Sequence, residues 1–294
     1  MQRYLLKKVL VFTVIAYLTT WFVAFIIAFQ FQKEGLSNEQ INLYHSIAAL
    51  GPSIAAIITT YIFYGRKGVK ALLLKINFFI RSIKTYFLIF SPMLFFTLGI
   101  LIYAITKSEW YDFKEFAFNN WYSFKIFIFW LLPLLSYSIF EEIGWRGFLL
   151  PHLQEKYNAW KSTIILTVIW ALWHIPFFFY RFNFSIAIGI GFFLGIFVGA
   201  IILTSIYNSV RGFLVPVMLF HFFNNLFSSF DKEMIVAVIS MGFVFVAVVI
   251  YKKYGKENLS QLERVKNYFL LDFNSKNGMN KQPHNNSYKA LGNK

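Results

Sequence analysis

Eight stretches of about 20 mostly apolar residues follow one another along the chain, at 9–29, 41–64, 85–105, 124–148, 162–180, 184–207, 213–230 and 235–251. A helix needs about 20 such residues to cross the hydrocarbon core of a bilayer. The runs are continuously apolar rather than alternating, so they read as spanning helices and not as barrel strands. The composition agrees: 58% of residues are hydrophobic, 21% aromatic and 14% charged. An ordinary soluble domain carries about 25% charged residues, and a soluble core of 294 residues cannot hide this much apolar surface. The expected fold is all-α, a polytopic integral membrane protein with about eight transmembrane helices.

The first run follows Arg3, Lys7 and Lys8, as a signal peptide would begin. It is long enough to span, and no small-residue cleavage pattern follows it, so it reads as a retained anchor. With the N-terminus in the cytoplasm and eight alternating spans, most basic residues fall on the cytoplasmic side. They include the cluster between 66 and 84, Arg146, Lys156, Lys161, Arg211 and the basic residues after Tyr251. The positive-inside rule supports that orientation. The expectation is a multi-pass plasma-membrane protein with both termini cytoplasmic. The net charge of +15 is then a topology signal, and membrane lipids rather than nucleic acid are the expected partners. Cysteine is absent, which excludes disulfides, a thiolate nucleophile and a cysteine–zinc site.

Two basic segments, 65–84 and 255–271, mix apolar residues with Lys and Arg and predict amphipathic helices on the inner leaflet. The Asn-rich tail from Asp272 predicts disorder. The chain divides into 1–122 with three spans, 123–230 with the chemistry, 231–254 as a last span, and 255–294 as a cytoplasmic tail.

Function in such a chain shows in the residues a bilayer would exclude, since a charge at mid-membrane costs about 2.5–3.5 kcal/mol on insertion scales. Among the acidic residues only the adjacent Glu141 and Glu142 fall well inside a run. Arg146 follows Glu142 by four residues and shares its helical face. Glu141 is rotated away by about 100° and is free to point elsewhere. His174 lies in the fifth run and His221 in the seventh, and His221 shares a face with Asn225. At about 1.5 Å per residue, Glu141, His221 and His174 lie roughly 14, 14 and 20 Å from the cytoplasmic ends of their helices. The expected cavity therefore opens toward the cytoplasm.

Each member has a plainer reading: a structural ion pair, interhelical hydrogen bonds, aromatic packing. Their coincidence at one depth on three spans points to chemistry. A carboxylate and an imidazole together deprotonate water, while a second imidazole and a carboxamide stabilise an oxyanion. Alternatively, Glu141, His174 and His221 would make a His₂Glu zinc site with an open position for water. The HExxH signature of ordinary zinc proteases is absent.

These residues resemble the motifs of the CPBP family, the CAAX-processing and bacteriocin-processing intramembrane proteases also called Abi. The family pattern EExxxR, FxxxH and HxxxN is met by Glu141-Glu142-Ile-Gly-Trp-Arg146, Trp170-Ala-Leu-Trp-His174 and His221-Phe-Phe-Asn224-Asn225. Trp170 replaces the Phe. The resemblance implies an intramembrane endopeptidase acting on a membrane-associated protein or peptide. It assigns water activation to Glu141 and His174, the oxyanion site to His221 and Asn225, and support to Glu142 and Arg146. The family is labelled a metalloprotease, yet the His221–Asn225 pair suits oxyanion donors better than zinc ligands, so a metal-independent mechanism is favoured. The alternative functions are a non-catalytic membrane scaffold, a bacteriocin-immunity protein, or a proton-coupled transporter using Glu141 and His174 as a relay.

Overall fold

The computed structural model describes residues 2–80, 82–181, 185–230 and 232–269. Ten helices occur among them: α1 (Gln2–Glu34), α2 (Asn38–Ala48), α3 (Leu50–Leu74), α4 (Ile83–Lys107), α5 (Phe113–Trp121), α6 (Phe124–Lys156), α7 (Ala159–Trp173), α8 (Ile186–Ser209), α9 (Val215–Ser228) and α10 (Glu233–Asn258). No strand appears among the described residues. Seven helical segments are long and apolar enough to cross a membrane, and their outer faces carry large exposed side chains such as Leu18, Phe22, Phe87 and Met241. The chain is a polytopic helical membrane protein.

The seventh run was expected to span and differs. Its helix, α9, has 14 residues, about 21 Å at 1.5 Å per residue, less than the roughly 30 Å hydrocarbon core. It still carries the chain from one face to the other. Its first N–H groups are met by the linker after α3, Leu214 N donating to Lys75 O at 2.8 Å. It then runs beside α4, with Phe223 on Phe90 and Phe227 on Phe96. An aromatic plug of Tyr111, Phe113 and Phe116 closes around Phe230 beyond its end. Neighbouring protein, rather than length, completes this pass.

The two predicted amphipathic helices fare differently. Helix α3 continues through Leu74 after a kink at Gly65, whose φ of +63° suits glycine, so the first half of 65–84 is helical. Of the segment 255–271, only the start is helical, as the end of α10, and 270–271 lie outside the described residues. Gly255 kinks α10, Leu259 ends it in the left-handed region, and 259–269 runs on as an irregular strap. Its backbone groups bond to neighbours instead of to each other: Val265 N donates to Asn208 Oδ1 at 3.0 Å and Gln154 Nε2 donates to Val265 O at 2.8 Å. Burial of Leu259, Val265, Tyr268 and Phe269 holds the strap down. The tail from Asp272 lies outside the described residues.

Proline placement explains two long-range bonds that position the core. Pro151 has no N–H, which leaves the carbonyl four residues back, Gly147 O, without its helical donor. The Tyr268 hydroxyl of the strap donates to it at 2.7 Å. Pro176 ends α7, and the chain tightens into a 3₁₀ turn at Ile175–Phe179. The freed Trp173 carbonyl accepts from Trp21 Nε1 at 3.0 Å, and Tyr17 of α1 donates to Ile169 O at 2.5 Å. Helix α1 thus fixes the end of α7 that bears His174.

Candidate active site

Helix α6 carries the paired glutamates between two π-type turns, Tyr137–Glu141 and Trp145–Leu149. Such turns rotate the side chains that follow and are frequent at functional sites. Helix α3 presses close here, since a Cβ added at Gly144 would collide with Pro52. Glu141, Glu142 and Arg146 are consequently buried.

The two carboxylates are used differently. Glu142 Oε1 accepts from Arg146 Nη1 at 2.9 Å and from His221 Nδ1 at 2.7 Å, so it joins α6 to α9. Sequence spacing anticipates the Arg146 bond but gives no sign of the His221 bond, which needs the fold. Glu141 Oε2 accepts two indole N–H groups, Trp145 Nε1 at 3.0 Å and Trp170 Nε1. No hydrogen bond from a described residue reaches its other oxygen. The Trp that departs from the FxxxH pattern is therefore a donor, which Phe cannot be. Its ring also lies under the Arg146 guanidinium, 4.4 Å from the centroid. His174 and His221 flank the same ring, each with its centroid 5.9 Å away.

Hydrogen-bond partners fix the histidine tautomers. His174 Nδ1 lies 2.8 Å from the Trp170 carbonyl, which only accepts. Nδ1 therefore carries the proton, and Nε2 of the neutral ring is an acceptor. His221 Nδ1 faces a carboxylate and likewise donates.

Glu141, His174, His221, Asn224 and Asn225 line one cavity of about 540 Å³, within the usual size of a ligand pocket. Its walls are apolar, with Leu134, Phe177, Phe220 and Phe243. The mouth lies at the other helix ends from those near Leu150, Lys161 and Gly212. The cavity extends along the last turns of α7 and α9 and the N-terminal halves of α8 and α10, and its rim includes exposed Arg181, Ser228 and Ser240. These lie at the end opposite to the start of α1, which sits beside Tyr64 and the strap. Distance from a helix end gives depth but not which way a side chain leans, and here all three lean toward the far end. Gly191, Gly195 and Gly199 on α8 meet nothing within 4 Å of an added Cβ, so these positions border open space.

The zinc reading of Glu141, His174 and His221 does not fit this geometry. Among the described residues no three His, Asp or Glu side chains gather closely enough to hold a metal ion.

Sequence comparison agrees with the arrangement. Residues 123–227 match the family model described as type II CAAX prenyl endopeptidase Rce1-like. The chain is also 29% identical over 190 residues to CAAX prenyl protease 2 of Methanococcus maripaludis, an alignment covering 59% of this chain and 67% of that protein. Both matches are to CAAX proteases, and the family model covers the segment that carries Glu141, His174, His221 and Asn225.

Proposed function

We propose that this peptidase hydrolyses its substrate with a water activated by Glu141 and His174, and stabilises the resulting oxyanion with His221 and Asn225. The observation that carries the reading is the asymmetry of Glu141. Two indoles hold one carboxylate oxygen, and the other is left for the cavity. There it takes a proton from water as the oxygen attacks the scissile carbonyl. The Nε2 acceptor of His174 shares that task.

Charge balance assigns the role of His221. Glu141 and Glu142 bring two negative charges and Arg146 one positive charge into a buried site. A proton on His221 restores neutrality, and its Nε2–H then joins the Asn225 amide as an oxyanion donor. Collapse of the tetrahedral intermediate breaks the C–N bond as the proton on Glu141 passes to the leaving amine.

The substrate class is a membrane-associated protein or peptide that enters through the mouth bounded by Arg181, Ser228 and Ser240. The basic face with both termini is placed in the cytoplasm of a plasma-membrane protein, which sets the cavity mouth in the opposite leaflet. Because the chain lacks cysteine, single-cysteine variants read this cleanly. Gln261→Cys, exposed on the strap, should react with an impermeant maleimide only in inverted vesicles, and the exposed Ser228→Cys only in right-side-out ones.

The chemistry is tested with purified protein in nanodiscs and a fluorogenic prenylated peptide. Glu141→Gln keeps an oxygen for the two indoles and removes the base, and turnover should fall about 10²–10⁴-fold. Wild-type turnover in Glu141→Gln would overturn the assignment.

A further inference from the structure

The cavity has a second polar end that the hydrolytic chemistry does not use. The 3₁₀ turn after His174 delivers Tyr180 and Arg181 to its mouth. Arg181 Nη1 donates to Asn42 Oδ1 of α2 at 2.7 Å. Beside it, the Tyr180 and Tyr137 hydroxyls lie 2.7 and 3.0 Å from His45 Nδ1. His45, Tyr137 and Arg181 line the same cavity as Glu141 and His174.

Arg181 has no ion pair with an acidic side chain among the described residues. Three acids toward this face are engaged elsewhere. Glu39 is held by Lys125 at 2.8 Å, Glu109 accepts from the Tyr103 hydroxyl at 2.8 Å, and Asp112 caps α5. One guanidinium nitrogen is anchored, and the rest of the donor fork has no counter-charge at the mouth of an apolar chamber. That fork matches a carboxylate, which takes two parallel N–H bonds.

Arg181 follows His174 by seven residues, past the 3₁₀ turn, and both side chains line the one cavity. We propose that Arg181, set by Asn42, is the subsite for a carboxylate of the bound peptide. The proposal rests on the peptidase reading, but its test does not need turnover.

Binding is measured by fluorescence anisotropy with Glu141→Gln protein in nanodiscs. The probe is a labelled prenylated peptide ending in three apolar residues, as the free acid and as the C-terminal amide. The acid should bind about 10–100-fold more tightly, and adding Arg181→Gln should remove that preference while leaving the amide's affinity unchanged. An amidated peptide with Asp in the last position separates the sources. If it binds like the free acid, the subsite reads any carboxylate there; if it binds like the plain amide, it reads the chain terminus. Equal binding of acid and amide, or a preference that survives Arg181→Gln, overturns the proposal. Carboxylate-dependent binding without cleavage by wild-type protein would instead sink the peptidase reading and leave the subsite standing.

Discussion

At the end of the bundle where α1 begins, most polar groups are matched partner to partner, the buried Tyr207 hydroxyl being an exception; at the cavity end, they are left with spare valence. Gln154 and Asn208 show the first pattern. Their side-chain amides bond reciprocally, at 3.0 and 2.9 Å, and every remaining amide N–H goes to a backbone carbonyl, of Val265 or Asn258. The Tyr64 hydroxyl is a similar hub. It accepts from Lys8 Nζ at 2.6 Å and Asn267 Nδ2 at 2.8 Å, and so donates to His152 Nε2 at 2.7 Å. Nearby, burial pushes the Lys75 ammonium down to about 8. The second pattern is that of Glu141, His174 and Asn225, whose free atoms face a cavity. Both ends share α6, so the same helix supplies structure at one end and reactivity at the other. Full pairing rigidifies, while an unpaired polar atom is useful only where a substrate or water completes it.

Arg146 sits between the two regimes and should show the largest combined effect. It is fully buried and bonds Glu142, yet its Nε and Nη2 have no hydrogen-bond partner among the described residues. Arg146→Ala strands Glu142 beside His221 and removes the cation over Trp170. Breaking a buried pair in this way costs about 3–5 kcal/mol. Thermal unfolding in detergent and turnover should both fall. A variant as stable and active as wild type would mean that Glu142 is adequately held by His221 alone.

Asn208→Ala should strike only the paired end. It strands Gln154 and the Val265 N–H, at about 1–3 kcal/mol for a buried group left unsatisfied. The midpoint of unfolding should drop while turnover per folded molecule stays at the wild-type value. A matching loss of turnover would show that the strap couples to the site, and the two ends could no longer be treated as independent.

How much of this was legible in the sequence follows from what each signal encodes. Apolar runs encode helices because lipid forces backbone bonds inward, so the architecture could be read directly. The i,i+4 spacing encodes Glu142–Arg146 for the same local reason. It encodes Glu141–Trp145 equally well, yet an aromatic in an aromatic-rich chain gives no sign that its N–H matters. His45 and Arg181 were missed because they sit near helix ends, and Tyr137 because it is one more aromatic inside an apolar run; they meet only in the folded bundle. The strap was misread because its helical spacing of apolar residues also suits an irregular segment pressed onto a groove. The cavity's direction was misread because depth along a helix says nothing of tilt or lean.

Trp170 offers the finest cut between pairing and reactivity. Trp170→Phe installs the residue of the FxxxH pattern, keeps the ring and removes one N–H. Glu141 then retains a single donor from Trp145, and its carboxylate gains freedom to turn. A positioning loss of this kind should lower kcat about tenfold, the equivalent of roughly 1.4 kcal/mol, with KM unchanged. The two indoles share one acceptor atom, so their effects should couple. The double variant Trp145→Phe/Trp170→Phe should lose more than the product of the single losses, a coupling that contacting residues show at about 0.5–3 kcal/mol. Trp145 also packs edge-on against Phe12 and Trp173, so unfolding is followed in parallel to separate packing from positioning. Wild-type kcat in Trp170→Phe would show that one donor suffices, and the Trp would then belong with the matched, structural half of the molecule.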